Sequence, residues 1–126
     1  MNVYVDASTL HNGFPGKQRT WIIGLDQHGS VLFKEFLGDT TNNEGELVAI
    51  QRVLEMGEPV AIFSDSRIAV NWVNRGRPGK AATQYTDSIL DCHELLGQTE
   101  STLEWIPREK NLAGIYFEDF GVGAIK

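Results

Sequence analysis

The run Val60-Ala61-Ile62-Phe63-Ser64-Asp65-Ser66 decides the fold. From Val60 to Ser64 it is short, apolar and without polar alternation, the mark of a strand buried on both faces. Such a strand needs helices above and below it, so the chain around it must be α/β. Just upstream, Thr40-Thr41-Asn42-Asn43 supplies hydroxyl and amide side chains suited to an N-cap, and Leu47, Ile50, Val53 and Leu54 recur at helical spacing as far as Gly57. Downstream, Ser66 to Val73 reads as a helix ended by Asn74-Arg75-Gly76-Arg77-Pro78-Gly79, and Ala81 to Leu96 as a longer helix closed by Gly97. Thr102 to Ile106 is a further strand. Asn111 to about Phe120 is a last helix, with a Gly-rich tail expected to fray.

The N-terminal third is different in kind. Asn2 to Asp6 is a β-branched strand, Thr20 to Leu25 a second and Val31 to Leu37 a third. The polar stretch Ser8 to Gln18, with Asn12-Gly13-Phe14-Pro15-Gly16, is turn chemistry, and Asp26-Gln27-His28-Gly29 is a tight turn. These three strands predict an antiparallel meander. The order is βββ-α-β-α-α-β-α: a mixed five-stranded sheet, three strands antiparallel and two more parallel to the first, flanked by helices on both faces. Strands one, four and five then end along one crevice, where open α/β sheets bind ligands.

Composition bounds the function. The 126 residues are one domain's worth, read here as a single domain over 1–126, and 41% hydrophobic content sustains a core. No apolar run approaches the roughly 18 residues that span a membrane, so no membrane partner is expected. One cysteine, Cys92, excludes an intrachain disulfide and a Cys-based zinc site, and its place in a helix predicts burial. The chain opens on a strand without a basic or apolar leader, and the expectation is an intracellular, cytoplasmic protein. The formal charge of −6 argues against a protein that grips nucleic acid by bulk electrostatics. It does not argue against an enzyme whose carboxylates collect metal ions. Nothing in the sequence fixes an oligomeric state.

Three acids stand where surface residues are not expected. Asp6 ends the first strand, Asp65 follows the buried run, and Glu46 shares the inward stripe of Ile50 and Val53 on the first helix. Glu44 lies on another face and is expected to be solvated. Carboxylates converging on one spot repel each other, which raises their pKa values unless a divalent cation neutralises them. Mg²⁺ takes a few carboxylates and keeps positions for water and phosphate, so Asp6, Glu46 and Asp65 predict a metal site for phosphoryl chemistry. The alternative is that the two aspartates cap strand ends and Glu46 answers the helix dipole.

At these positions the sequence resembles the ribonuclease H family. The residues that carry the resemblance are Val3-Tyr4-Val5-Asp6-Ala7-Ser8, Thr41-Asn42-Asn43-Glu44-Gly45-Glu46-Leu47, Phe63-Ser64-Asp65-Ser66 and Trp105-Ile106-Pro107-Arg108-Glu109-Lys110-Asn111, in the family's order. The resemblance implies hydrolysis of the RNA strand of RNA–DNA hybrids with two Mg²⁺ ions, Mn²⁺ being a possible substitute, on Asp6, Glu46 and Asp65, leaving 5′-phosphate and 3′-hydroxyl. It implies substrate contacts from Ser8, Asn12, Asn43, Ser66, Arg108 and Asn111. Asn12 and Asn43 are equally suited to a turn and a cap.

There are departures from the family. The fourth acid usually stands four residues after the asparagine of the last helix, and that position is Ile115. The run Asn111-Leu112-Ala113-Gly114-Ile115-Tyr116-Phe117-Glu118-Asp119 is similar to a variant in which Glu118 is the fourth metal ligand, with Asp119 as the rival. The family's mobile histidine is absent, with Arg108, Glu109 and Lys110 in that stretch. The basic protrusion is reduced to Arg75, Arg77 and Lys80. Trp72 is suited either to the DNA backbone or to the core rim, while His11, His28 and His93 carry no clear role. Two other readings remain open: a nuclease of the same fold acting on branched or single-stranded DNA, and a nucleic-acid-binding module without catalysis.

Overall fold

Strand β1 (Asn2–Leu10) is the axis of a five-stranded sheet in the computed structural model, which describes residues 1–80 and 82–121. It pairs antiparallel with β2 (Arg19–Asp26), which pairs antiparallel with β3 (Val31–Gly38). On its other side it pairs parallel with β4 (Ala61–Ser64), and β4 pairs parallel with β5 (Thr102–Trp105). The sheet order is β3-β2-β1-β4-β5, the expected three antiparallel plus two parallel strands. The helices are α1 (Asn42–Leu54), α2 (Arg67–Arg75), α3 (Thr86–Gln98) and α4 (Leu112–Phe120). No helix among the described residues is long and apolar enough to cross a membrane.

Alternation along β1 distributes the layers. Val3, Val5 and Ala7 face a large core with Leu47, Ile50 and Val53 of α1, Ala69, Val70 and Val73 of α2, and Ile89 and Cys92 of α3. Tyr4 faces the other way, into a smaller cluster where Ala113 and Phe117 of α4 meet Ile23 and Leu25. Cys92 is buried as expected, and burial pushes its thiol up to about 12, so it is not a reactive group. Trp72 packs at the rim of the larger core, its ring 5.4 Å from that of Tyr85.

Several expected boundaries shift; the second helix, for one, runs from Arg67 to Arg75 with Ser66 as its cap. Strand β1 does not end at Asp6. It runs to Leu10, because Ser8, Thr9 and Leu10 pair with Trp21, Thr20 and Arg19, and the Thr9 and Thr20 hydroxyls meet at 2.8 Å. What ends near Asp6 is the parallel pairing, whose last pair is Val5 with Ser64. The third helix starts at Thr86, after a single 3-10 turn at Thr83–Tyr85, and passes Gly97 to reach Gln98. Asn111 is the cap of α4 rather than its first residue. Ala81, and the tail beyond Gly121 that was expected to fray, lie outside the described residues.

Candidate active site

Asp6 sits where β1 leaves β4 but keeps β2, so its side chain is buried on the α4 side of the sheet while the crevice between the parallel strands opens beside it. Asp65 is the first residue past β4. Its carbonyl accepts from the Trp105 indole N–H at 3.2 Å, and Ser66 next to it caps α2 by accepting from the Ala69 N–H. Glu46 arrives from α1. The Thr41 hydroxyl caps that helix by accepting from the Glu44 N–H, and Gly45 lets it lie against the sheet. A Cβ on Gly45 would stand 2.8 Å from Thr20 Cγ2 and 3.0 Å from the Ala7 Cβ. The missing side chain is therefore what brings Glu46 down to the level of Asp6.

Asp6, Glu46 and Asp65 each place one carboxylate oxygen within 4.8 Å of the others. Both oxygens of Asp6 and Oε1 of Glu46 are buried without a hydrogen-bond partner. Unpaired buried carboxylate oxygens are costly, and a native site tolerates them when something outside the chain completes them. The Asp6 pKa is pushed up to about 7, first by burial and then by the charge of Asp65, with the charge of Arg108 pulling against the shift. Glu46 is pushed well above the carboxylate range by burial and by Asp6 and Asp65. A compact, all-oxygen set of three carboxylates fits a hard divalent cation.

Two further residues complete the site. Asn111, fully buried, accepts from the Ala113 N–H as the cap of α4 and donates to the Val5 carbonyl at 3.0 Å and to Asp65 Oδ2 at 3.2 Å. The expectation that it meets substrate is therefore corrected: it ties β1, α4 and Asp65 together from inside. Arg108, in a 3-10 turn after β5, brings Nη1 to 3.4 Å from Asp65 Oδ2 and 3.6 Å from Asp6 Oδ2. Gly114 of α4 faces the same oxygens, since a Cβ there would lie 3.3 Å from Asp65 Oδ2 and 3.4 Å from Asp6 Oδ2.

The remaining expected residues are spread around this centre. Ser8 is half-buried, two residues beyond Asp6 on the same face of β1. Asn12 is exposed, and its side-chain oxygen accepts from the Asn42 N–H, tying its loop to the start of α1; Asn43 is half-buried in the first turn of α1. Ser66 is half-buried at its cap. Glu118 and Asp119 are exposed near the end of α4 and stand outside the triad. Sequence reading passed over Arg67, whose guanidinium lies 4.0 Å over the Trp105 ring at the edge of the crevice. The signal for it was faint: a cation directly after Ser66, on the first turn of α2. Gly45 gave a clearer one, a glycine inside a helical run.

Sheet order, carboxylate placement and crevice together define an α/β protein whose three acids, two beside the parallel strands and one on α1, could hold a divalent cation. The chain belongs to the RNase H family, whose model matches residues 1–112, and as a ribonuclease H it is a hydrolase. Solved structures agree on the fold. RNase H1 from the halophilic archaeon Halobacterium salinarum superposes with a TM-score of 0.71 at 17% identity, covering 95% of each chain. LC11-RNase H1, solved with an RNA/DNA hybrid, gives 0.64 at 24% identity over 87% of each chain. The foamy viral protease-reverse transcriptase in complex with RNA/DNA hybrid gives 0.62 at 16% identity, over 89% of this chain and 18% of the larger one.

Proposed function

We propose that this protein hydrolyses the RNA strand of RNA–DNA hybrids with the help of divalent cations held by Asp6, Glu46 and Asp65. The observation that carries the reading is the meeting of three carboxylates within 4.8 Å with three buried oxygens that make no hydrogen bond. Bound there, two Mg²⁺ ions, or Mn²⁺ in their place, would supply an activated water and neutralise charge at the departing 3′ oxygen, leaving 5′-phosphate and 3′-hydroxyl ends.

The chain's own residues do the rest. Asn111 holds Asp65 Oδ2 and the Val5 carbonyl, so the two aspartates keep a fixed separation as charge builds between them. Ser8, Asn12, Asn43 and Ser66, on β1, its loop, α1 and the cap of α2, would touch the backbone and the 2′-hydroxyls that tell RNA from DNA. Exposed Arg75 at the end of α2, with Arg77 and Lys80 just beyond it, would offer a modest phosphate contact. The hybrid complexes formed by LC11-RNase H1 and by the foamy viral enzyme support the substrate assignment.

On α4 we assign the fourth acid to Glu118. Gly114 faces the carboxylates, and a residue four positions on points within about 40° of it, whereas one five positions on is turned away by about 140°. Helical side chains lean toward the N-terminus, which brings Glu118 back over Gly114. The test of the function is incubation with strand-labelled hybrid, duplex DNA, duplex RNA and branched DNA, with Mg²⁺ and with chelator. RNA-strand cleavage in the hybrid alone, lost in chelator, is expected. Metal-independent cleavage, or a preference for DNA, overturns it.

A further inference from the structure

We propose that Arg108 is a resident counter-cation of the carboxylate centre which competes with a divalent ion for the Asp6 Oδ2 and Asp65 Oδ2 side of the site. The inference rests on the metal reading of the triad given above. It makes the two cation positions unequal: one is open to an incoming ion, and the other must first be vacated.

The geometry is specific. Nη1 of Arg108 stands 3.4 Å from Asp65 Oδ2 and 3.6 Å from Asp6 Oδ2, between the two oxygens that a bridging ion would need. An Mg²⁺ ion binds oxygen at about 2.1 Å, so an ion on this pair would lie within a few ångströms of a guanidinium that is always charged. The Cβ that Gly114 lacks would stand 3.7 Å from Arg108 Cζ and against both oxygens, so the helix backbone closes that side and leaves room for the guanidinium. The other side differs in charge contact: Asp6 Oδ1 and Glu46 Oε1 are buried and, like Asp6 Oδ2, make no hydrogen bond, whereas Arg108 is drawn up to Asp6 Oδ2 and Asp65 Oδ2. Arg108 can also leave: its side chain is 52% exposed, against 1% for Asp6. A cation that neutralises the centre before metal arrives and departs when the second ion enters is thus built into the turn after β5.

The test is Mn²⁺ binding to metal-free protein without substrate, by calorimetry and by electron paramagnetic resonance of free Mn²⁺. Wild type, Arg108→Gln and Arg108→Lys are compared at about pH 8.5, so that proton uptake by Asp6 does not mask the effect. In wild type the expectation is one tighter and one weaker step. In Arg108→Gln the weaker step should tighten by about tenfold or more, the effect of removing a like charge from beside the ion, with Arg108→Lys in between. In chelator Arg108→Gln should melt below wild type, and saturating Mn²⁺ should close the gap. Unchanged or weakened Mn²⁺ binding in Arg108→Gln, while wild type still binds, overturns the competition and leaves the metal reading standing. If no variant binds Mn²⁺, both fall.

Discussion

The acids gathered at the crevice and the acids carried by α4 stand in opposite conditions. Asp6 and Glu46 are buried, and Asp65 joins them within 4.8 Å. Glu118 and Asp119 are exposed at the end of a nine-residue helix. The first group is fixed by things unrelated to charge: the parallel register of β1 and β4, the close approach of α1 at Gly45, and the two bonds of Asn111. The second group depends only on the aim of one helix. Positions that the core dictates can store electrostatic strain, and positions on a helix end cannot. On the proposed function the triad bears the chemistry, and α4 adjusts it.

The largest effect should come from the buried side. Asp65→Asn keeps the shape and removes one charge, and hybrid cleavage should fall by about a thousandfold or more, since the cation site loses a ligand. Circular dichroism should show the fold intact, because the lost charge relieves repulsion in the metal-free state. Activity above a few per cent of wild type would mean that Asp65 is not a primary ligand. On the exposed side the contrast lies within α4. Glu118→Gln should slow cleavage by about a hundredfold and Asp119→Asn by only a few-fold, because the first points along the Gly114 face and the second away from it. A dead Asp119→Asn enzyme with an active Glu118→Gln would transfer the role; two active enzymes would show that three carboxylates suffice.

A smaller effect tests how the buried side is held. Gly45→Ala inserts a methyl against Thr20 and Ala7, and urea unfolding should show a loss of about 1–3 kcal/mol, the usual range for overpacking. Unaltered stability would mean that α1 is free to back away and that its glycine does not set the position of Glu46. The last effect is one of pH. The folded pKa of Asp6 is raised to about 7 from 3.8, and that of Glu46 is raised too, so the folded state binds protons that the unfolded chain has released. Stability in chelator should fall as pH rises from about 4 to about 7, with a lower melting midpoint at pH 8 than at pH 5. Equal midpoints would mean that the triad carries no strain.

How much of this was legible in the sequence follows the same division. The meander, the buried run at Val60 and the positions of Asp6, Glu46 and Asp65 all rest on periodicity and strand alternation, which local sequence expresses. The end of β1 was not legible. Ser8 and Thr9 are polar and read as loop, and only their pairing with Trp21 and Thr20 keeps them in the strand. Asn111 was read as a substrate contact, since nothing in its own segment reveals a bond to Val5, 106 residues away in sequence. The place of Arg108 between Asp6 and Asp65, and of Arg67 over Trp105, arises from the convergence of the turn after β5 with β1 and β4, a contact between distant segments.

The central claim is that Asp6, Glu46 and Asp65 form a single cation centre whose repulsion is relieved by metal. The most direct test is the thermal unfolding of wild type and Asp6→Asn at about pH 8, above the Asp6 titration, in chelator and in millimolar Mg²⁺ or Mn²⁺. Wild type should gain several degrees with metal, in line with binding to the folded state alone. Asp6→Asn should melt above wild type in chelator and gain little from metal. A wild-type midpoint that ignores both ions, or an equal metal-induced rise in Asp6→Asn, would contradict the account.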